Sequence, residues 1–533
     1  MAAASATPMY KLPDEMFLRI AEWIDTPNKY RTDIKTFCRL SKKCRDIGQE
    51  VLHRNATVRP LCPCGAHPED NGVLFLLRTL LDRPDLAGKV RKLQFNTIRK
   101  NFADDYESKK ELGFAGVRTK ALARLQHLGY TSGTAWHLAV KNSIESALSG
   151  VLLTLVPNLA ELDFGVRDYR RENASLDPMS ALFGEYTAPP ATLLATARNV
   201  HKLTVAGSQL CMLSPFTFNW SSLTTLTLKE VVTPTLFRLT GPGSLAGAPK
   251  LTHLQIEPMI QFGDSEYMKM YDSQLGHLFA ALGCGSVTHL TMTFWLYAPH
   301  LHLDMNDHFD VKHLFKQFEF LAPQLEGLVI QFRNEEALPG AIDSLLDLLR
   351  NPMSSMKHFA ALKHLDVPQR FLFHDYTDAF GDPGNFCPPN YLPRKLRSLA
   401  LAHTDPDVID WFKMEDLTGR SWYGNGPRTV FPKLETIMFP CEDEDDLDQF
   451  TEGYDQVWAV LGAFGITTSA ELRGGGQTVN LTEYQDHDED EEDDDDDDDL
   501  SDMPDLIDAD QDTNMVDLLD FEGLLDLEVA SMD

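Results

Sequence analysis

LTHLQI (Leu251–Ile256) and VTHLTM (Val287–Met292) carry one pattern: apolar, two variable residues, apolar, one variable residue, apolar. The same six-residue pattern recurs as VRKLQF from Val90, LAELDF from Leu159, VHKLTV from Val200 and LTTLTL from Leu223. It continues as LEGLVI from Leu325, LKHLDV from Leu362, LRSLAL from Leu396 and LETIMF from Leu434, making ten copies. Within each copy the last four residues alternate, as in a strand that points one face into a core. The first apolar residue turns inward where the chain enters that strand. Proline-containing turns precede several copies, as in VPNL, APKL, APQL and FPKL.

Ten copies make a repeat. The first gap between copies is 69 residues, the second 41, and the other seven run from 23 to 38. Regular leucine-rich repeats take about 20–29 residues, so most of these carry insertions or long return helices. DSQLGHLFAALG (272–283), DVKHLFKQFEFLAP (310–323), AIDSLLDLLRN (341–351) and SIESALSGVLLTLVP (143–157) show the three- and four-residue apolar spacing of helices. Strand and helix in tandem predict an α/β chain: an irregular leucine-rich-repeat solenoid with parallel strands and outer helices over 73–465. An ordinary α/β domain is the competing architecture.

Charge is distributed unevenly. The formal net charge is −32 over 533 residues, but from Leu481 the chain has 25 acids and no Lys or Arg. The remainder carries 55 acids against 48 bases, an ordinary balance without the clustered cations that nucleic-acid binding requires. RLSKKCR (Arg39–Arg45) is the best basic run and fits a solvated helix face. The start, MAAASATPMYKLPDE, lacks a secretory apolar core, and no apolar run reaches membrane-spanning length. These features predict a cytoplasmic or nuclear protein with reduced thiols and no membrane partner.

Residues 8–54 read as a small helical module, followed by a linker over 55–72. Pro13 suits a first helical position, with Asp14 and Glu15 at the positive end of the helix dipole. Met16, Phe17, Ile20, Trp23 and Ile24 form an apolar stripe. After a break at Asp25-Thr-Pro-Asn, Thr32 or Asp33 caps a second helix bearing Ile34, Phe37, Leu40, Cys44, Ile47 and Val51. About 45 residues is a small core, so the surplus apolar surface predicts a partner.

LPDEMFLRIAEWI, a loop and FCRLSKKCRDI together resemble the F-box, over about 45 residues. FLLRTLLDRPDLAGKVRKLQF, from Phe75, looks like the join to the repeats in many fungal F-box proteins. The resemblance implies a substrate-recognition subunit of an SCF-type (cullin) ubiquitin ligase, without catalysis or cofactor. It implies docking on the Skp adaptor and the cullin core, with the repeats holding the protein to be modified. By position, the docking residues it implies are Leu12, Pro13, Ile20, Ile24, Phe37, Leu40 and Cys44. Two features depart from the family pattern: Lys43-Cys44-Arg45 lacks an aromatic, and Asp25–Arg31 is long and polar.

Other chemistry finds little support in the sequence. Cys62-Pro-Cys64 with His67 lacks the spacing and the second pair of a structural zinc site. His300, His302, His308 and His313 do not form a metalloprotease motif, and Gly474–Gly476 lacks a phosphate-loop lysine. No metal ligand set or catalytic residue is expected. The region 466–533 reads as a linker and a disordered acidic tail. Leu518, Leu519, Phe521, Leu524, Leu525 and Leu527 alternate there with acids, as in peptides that fold on a partner's groove. An alternative function is therefore a repeat scaffold or transcriptional cofactor that acts through this tail.

Overall fold

A computed structural model describes residues 12–24, 32–58, 71–101, 113–168, 178–184, 191–206, 220–232, 248–261, 285–297, 309–334, 355–372, 392–404, 431–441, 455–472 and 478–482, with 342, 346, 349, 350, 447 and 450. The linker cysteines Cys62 and Cys64 and the tail residues Leu518, Leu519, Phe521, Leu524, Leu525 and Leu527 lie outside them.

The chain is α/β, built on one sheet of 13 strands. These are β1 (Asn55–Thr57), β2 (Lys92–Arg99), β3 (Glu161–Asp168), β4 (Lys202–Ala206), β5 (Thr225–Val232), β6 (His253–Gln261), β7 (His289–Tyr297), β9 (Gly327–Asn334), β11 (His364–Pro368), β12 (Ser398–Ala402), β13 (Thr436–Cys441), β14 (Thr467–Leu472) and β15 (Thr478–Asn480). Their order across the sheet is their order along the chain. Every pair is parallel until β15, which returns antiparallel to β14. β8 (Phe309–Asp310) and β10 (Leu349–Arg350) make a separate parallel pair.

All ten hexamers become strands, in register. The third residue of each pairs with the third of the next: Lys92, Glu161, Lys202, Thr225, His253, His289, Gly327, His364, Ser398 and Thr436 form one row. The thirty apolar positions are all buried, none more than 6% exposed. At each strand entry, the carbonyl of the second hexamer residue accepts two N–H groups from the next copy. Thr252 O, for instance, takes Thr288 N and His289 N at 2.9 Å each. This ladder runs from Arg91 to Arg397 and satisfies the backbone where the chain turns into the sheet.

Twelve α-helices accompany the strands among the described residues. α1 (Asp14–Ile24), α2 (Thr32–Leu40) and α3 (Lys42–Arg54) come first, then α4 (Gly72–Asp82) and α5 (Pro84–Ala87). α6 (Phe114–His127), α7 (Ala135–Lys141), α8 (Glu145–Leu153), α9 (Pro178–Phe183) and α10 (Ala191–Asn199) follow, then α11 (Val311–Gln317) and α12 (Asp455–Ala463). α4 and α8 pack on β2, α9 on β3 and α12 on β14, closing one continuous apolar core. α8 and α9 approach closely because residue 150 is glycine: a Cβ there would run into the carbonyl oxygen of Leu182.

Several boundaries differ from those the sequence predicts. The single helix expected after Thr32 is two, because Ser41 caps a new one: its Oγ accepts from Cys44 N at 3.0 Å. Residues 55–57, expected in a linker, add a strand beside β2, since the Ala56 side chain fits the core. Past residue 465 the sheet continues through β14 and β15. The helix expected over 341–351 gives way at Leu349 and Arg350, whose backbone pairs with Phe309 and Asp310. The segments expected as helices over 310–323 and 143–157 contain α11 and α8.

Candidate functional site

Two surfaces present recognition chemistry. The first belongs to the three N-terminal helices, which enclose their own core of Phe17, Ala21, Ile34, Phe37, Cys44 and Val51. Gly48 brings α3 against α2, since a Cβ there would collide with Cys38 Sγ. Lys43 fastens the start of α1: its Nζ donates to Leu12 O at 2.9 Å and meets Asp14 Oδ1 at 2.6 Å. Arg54 of α3 bonds Glu22 of α1.

This packing sorts the residues that the F-box resemblance singles out. Phe37 and Cys44 are buried at 3% exposure, inside the helical core. Leu12, Ile20 and Ile24 are partly buried against that core. Pro13 is exposed, and Leu40 is 58% exposed. Alongside them stand Met16 at 50% and Trp23 at 81%. Met16, Ile20 and Trp23 follow the i, i+4, i+7 spacing of one helix face. The apolar stripe in the sequence held this signal. Which of its members turn outward depends on how α1 packs, and periodicity alone does not specify that.

The second surface is the face of the sheet opposite the core, where the third and fifth hexamer positions project. Its entry-side row is rich in histidine. The rings of His253 and His289 stack at 4.5 Å between centroids and 7° between planes. Thr252 Oγ1 donates to Thr224 O at 3.3 Å and lies 2.9 Å from His253 Nδ1. The Thr252 hydroxyl thus sits between the Thr224 carbonyl and the His253 ring nitrogen. Thr288 holds His289 in the same way, at 3.3 and 2.9 Å. Burial and the neighbouring His253 lower the pKa of His289, against the pull of Glu326. His289 leans over Gly327, where a Cβ would meet its ring.

Further along the strands, charge and one large aromatic gather. Asp163 accepts from Gln94 Nε2 at 3.1 Å; burial raises its pKa, opposed by Lys229, Lys92 and Lys202. Glu257 accepts from Gln255 Nε2 at 2.7 Å and from the Trp295 side chain. Burial raises its pKa too, opposed first by Lys229 and then by the Trp295 bond and Arg333. Arg333, the register partner of Trp295, holds its guanidinium carbon 5.8 Å from the indole centre. Lys229, Glu257, Trp295 and Arg333 lie beyond the hexamer, in strands longer than its six-residue pattern, so the repeat did not mark them.

Among the described residues, no group of three or more His, Cys, Asp or Glu is placed to hold a metal ion. No described helix is long and apolar enough to cross a membrane. His313, weighed in the sequence as a metal ligand, bonds its backbone N–H to Asp310 Oδ1 at 2.8 Å in the cap of α11. His300, His302, His308, His67 and Gly474–Gly476 lie outside the described residues. No protein-family model matches the chain, and no curated protein matches it.

Proposed function

We propose that the chain is a substrate-recognition subunit of a cullin-type ubiquitin ligase, with an F-box-like helical module on a leucine-rich-repeat solenoid. The Skp adaptor would take the face of α1 and the end of α2. Pro13, Met16, Ile20, Trp23 and Leu40 make the contact, and Phe37 and Cys44 act from beneath by holding the helices. The protein to be modified would bind the outward strand face. Catalysis then resides in the partners, and the chain works by raising the local concentration of acceptor lysines.

One observation carries this reading: a three-helix cluster with its own core leaves Met16, Trp23 and Leu40 in water. A tryptophan 81% exposed on a helix that buries Phe17 and Ala21 on its other side is what an unfilled interface presents. The ten in-register parallel strands supply the accompanying repeat.

Capture of the Skp adaptor by the full chain is the test. Leu12→Ala/Pro13→Ala/Ile20→Ala is expected to abolish capture. Met16→Ala/Trp23→Ala, which alters only exposed side chains, is expected to weaken it by about 2 kcal/mol or more, roughly thirtyfold. Failure of the intact, folded chain to capture the adaptor would overturn the reading.

A further inference from the structure

We propose that the outward face of β5–β9, around Trp295 and Arg333, binds an extended acidic segment of a partner protein through Lys229 and Arg333. The proposal deepens the reading of the strand face as the target-binding surface and rests on it.

Trp295 is a large aromatic on a face that also carries Thr, His, Gln, Val329 and charged residues. Its indole is tied to Glu257, which Gln255 also bonds, so the ring is fixed before any partner arrives. Arg333 lies over that ring within cation–π range and is exposed. A guanidinium held against an aromatic face still offers its in-plane N–H fork, the geometry that matches a carboxylate. Among the described residues, neither Arg333 nor Lys229 forms an ion pair; Glu257, whose charge both sense, is occupied by Gln255 and Trp295. Thr293, on one of the two strands between the cations, is 4% exposed, so the face is low beside Trp295. A peptide backbone can lie there. Tryptophan and arginine are also the residues most enriched at interface hot spots.

The spacing of the cations selects the ligand. Lys229 and Arg333 stand on strands three places apart, roughly 14 Å at the usual inter-strand distance. An extended chain rises about 3.4 Å per residue, so two acidic side chains about four positions apart reach both. A phosphate dianion calls for several cations around one point. Here Lys229 and Arg333 stand three strands apart with Glu257 between them, so single carboxylates fit better.

A random-peptide phage library panned on the full chain tests this. Wild-type protein should enrich peptides with paired Asp or Glu about four residues apart. Lys229→Glu/Arg333→Glu should weaken the selected peptides roughly a hundredfold and enrich Lys and Arg instead. An unchanged melting temperature would show that the variant is folded. If it melts early, Arg333→Gln replaces it, with an expected loss of about tenfold. Peptides without paired acids, failure to select any binder, or binding indifferent to these changes would overturn the proposal. Adaptor capture reads the other surface: its loss with peptide selection intact removes the ligase reading alone, and the reverse outcome removes this proposal alone.

Discussion

Glu145 is a carboxylic acid in the interior. It opens α8 and is fully buried. Asn71 Nδ2 reaches it at 2.6 Å, Thr97 Oγ1 at 3.0 Å and Ile98 N at 3.1 Å. Asn71 also caps α4, by accepting from Leu74 N, so one carboxyl joins α4, β2 and α8. Burial pushes its pKa up to about 7, against the three donors that favour the ion. The native pKa lies above the unfolded one, so the native state holds the proton more tightly. The resulting stabilisation is complete below about pH 4.5 and is lost as pH rises through 7. A shift from 4.5 to about 7 corresponds to roughly 3 kcal/mol. Glu145→Gln keeps a neutral acceptor and removes the titration. The wild-type melting temperature should therefore fall between pH 5 and 7.5 by several degrees more than the variant's. Parallel pH profiles would rule out Glu145 as the titrating group. In the sequence Glu145 reads only as an acid at a helix start; its burial depends on Asn71 and Thr97, 74 and 48 residues away.

At the scale of the element, the hexamer sets the energetics. Leu290 occupies its fourth position in a central strand and is fully buried, while Thr291 beside it projects to the opposite face. Leu290→Ala should cost about 2–5 kcal/mol and Thr291→Ala under about 1 kcal/mol, compared by denaturant midpoints. Equal costs would mean that the apolar face is not the core. The strands were legible because alternation, the entry residue and repetition all favoured one assignment. The helical module was legible as a stripe, but its division at Ser41 was not. The apolar spacing from Ile34 to Val51 continues across that break, and only the side-chain bond to Cys44 N reveals the cap. Assigning Phe37 and Cys44 to a docking surface met the same limit. An apolar helix position can face a partner or a neighbouring helix, and these two are buried in the module's own core, where Gly48 lets α3 approach α2. Trp295 and Arg333 escaped notice because the repeat ends at its sixth residue, while β7 and β9 continue to Tyr297 and Asn334.

Across the whole molecule, the helical module is attached to the sheet without a linker. α3 ends at Arg54 and β1 begins at Asn55. Arg54 O accepts from Arg91 N at 2.9 Å, one step before the strand-entry ladder that starts at Arg91 O. Lys89 meets Glu50 at 3.1 Å, and Glu50 in turn bonds Arg54. Six buried residues are too few to hold three helices firmly by themselves. The module therefore draws stability from the sheet, and α1 is presented in a fixed direction relative to β2. A flexible Gly/Ser insertion between Arg54 and Asn55 replaces this direct connection with a tether, whose effective concentration is in the millimolar range for short linkers. Amide hydrogen exchange should then speed up on the order of tenfold or more in α1–α3, and stay unchanged in β6, β7 and β9, where the ladder is untouched. Faster exchange throughout the sheet would mean that the module closes the end of the core. Unchanged exchange in α1–α3 would mean that the module folds independently, and the fixed presentation of its exposed tryptophan would then rest on the chain connection alone.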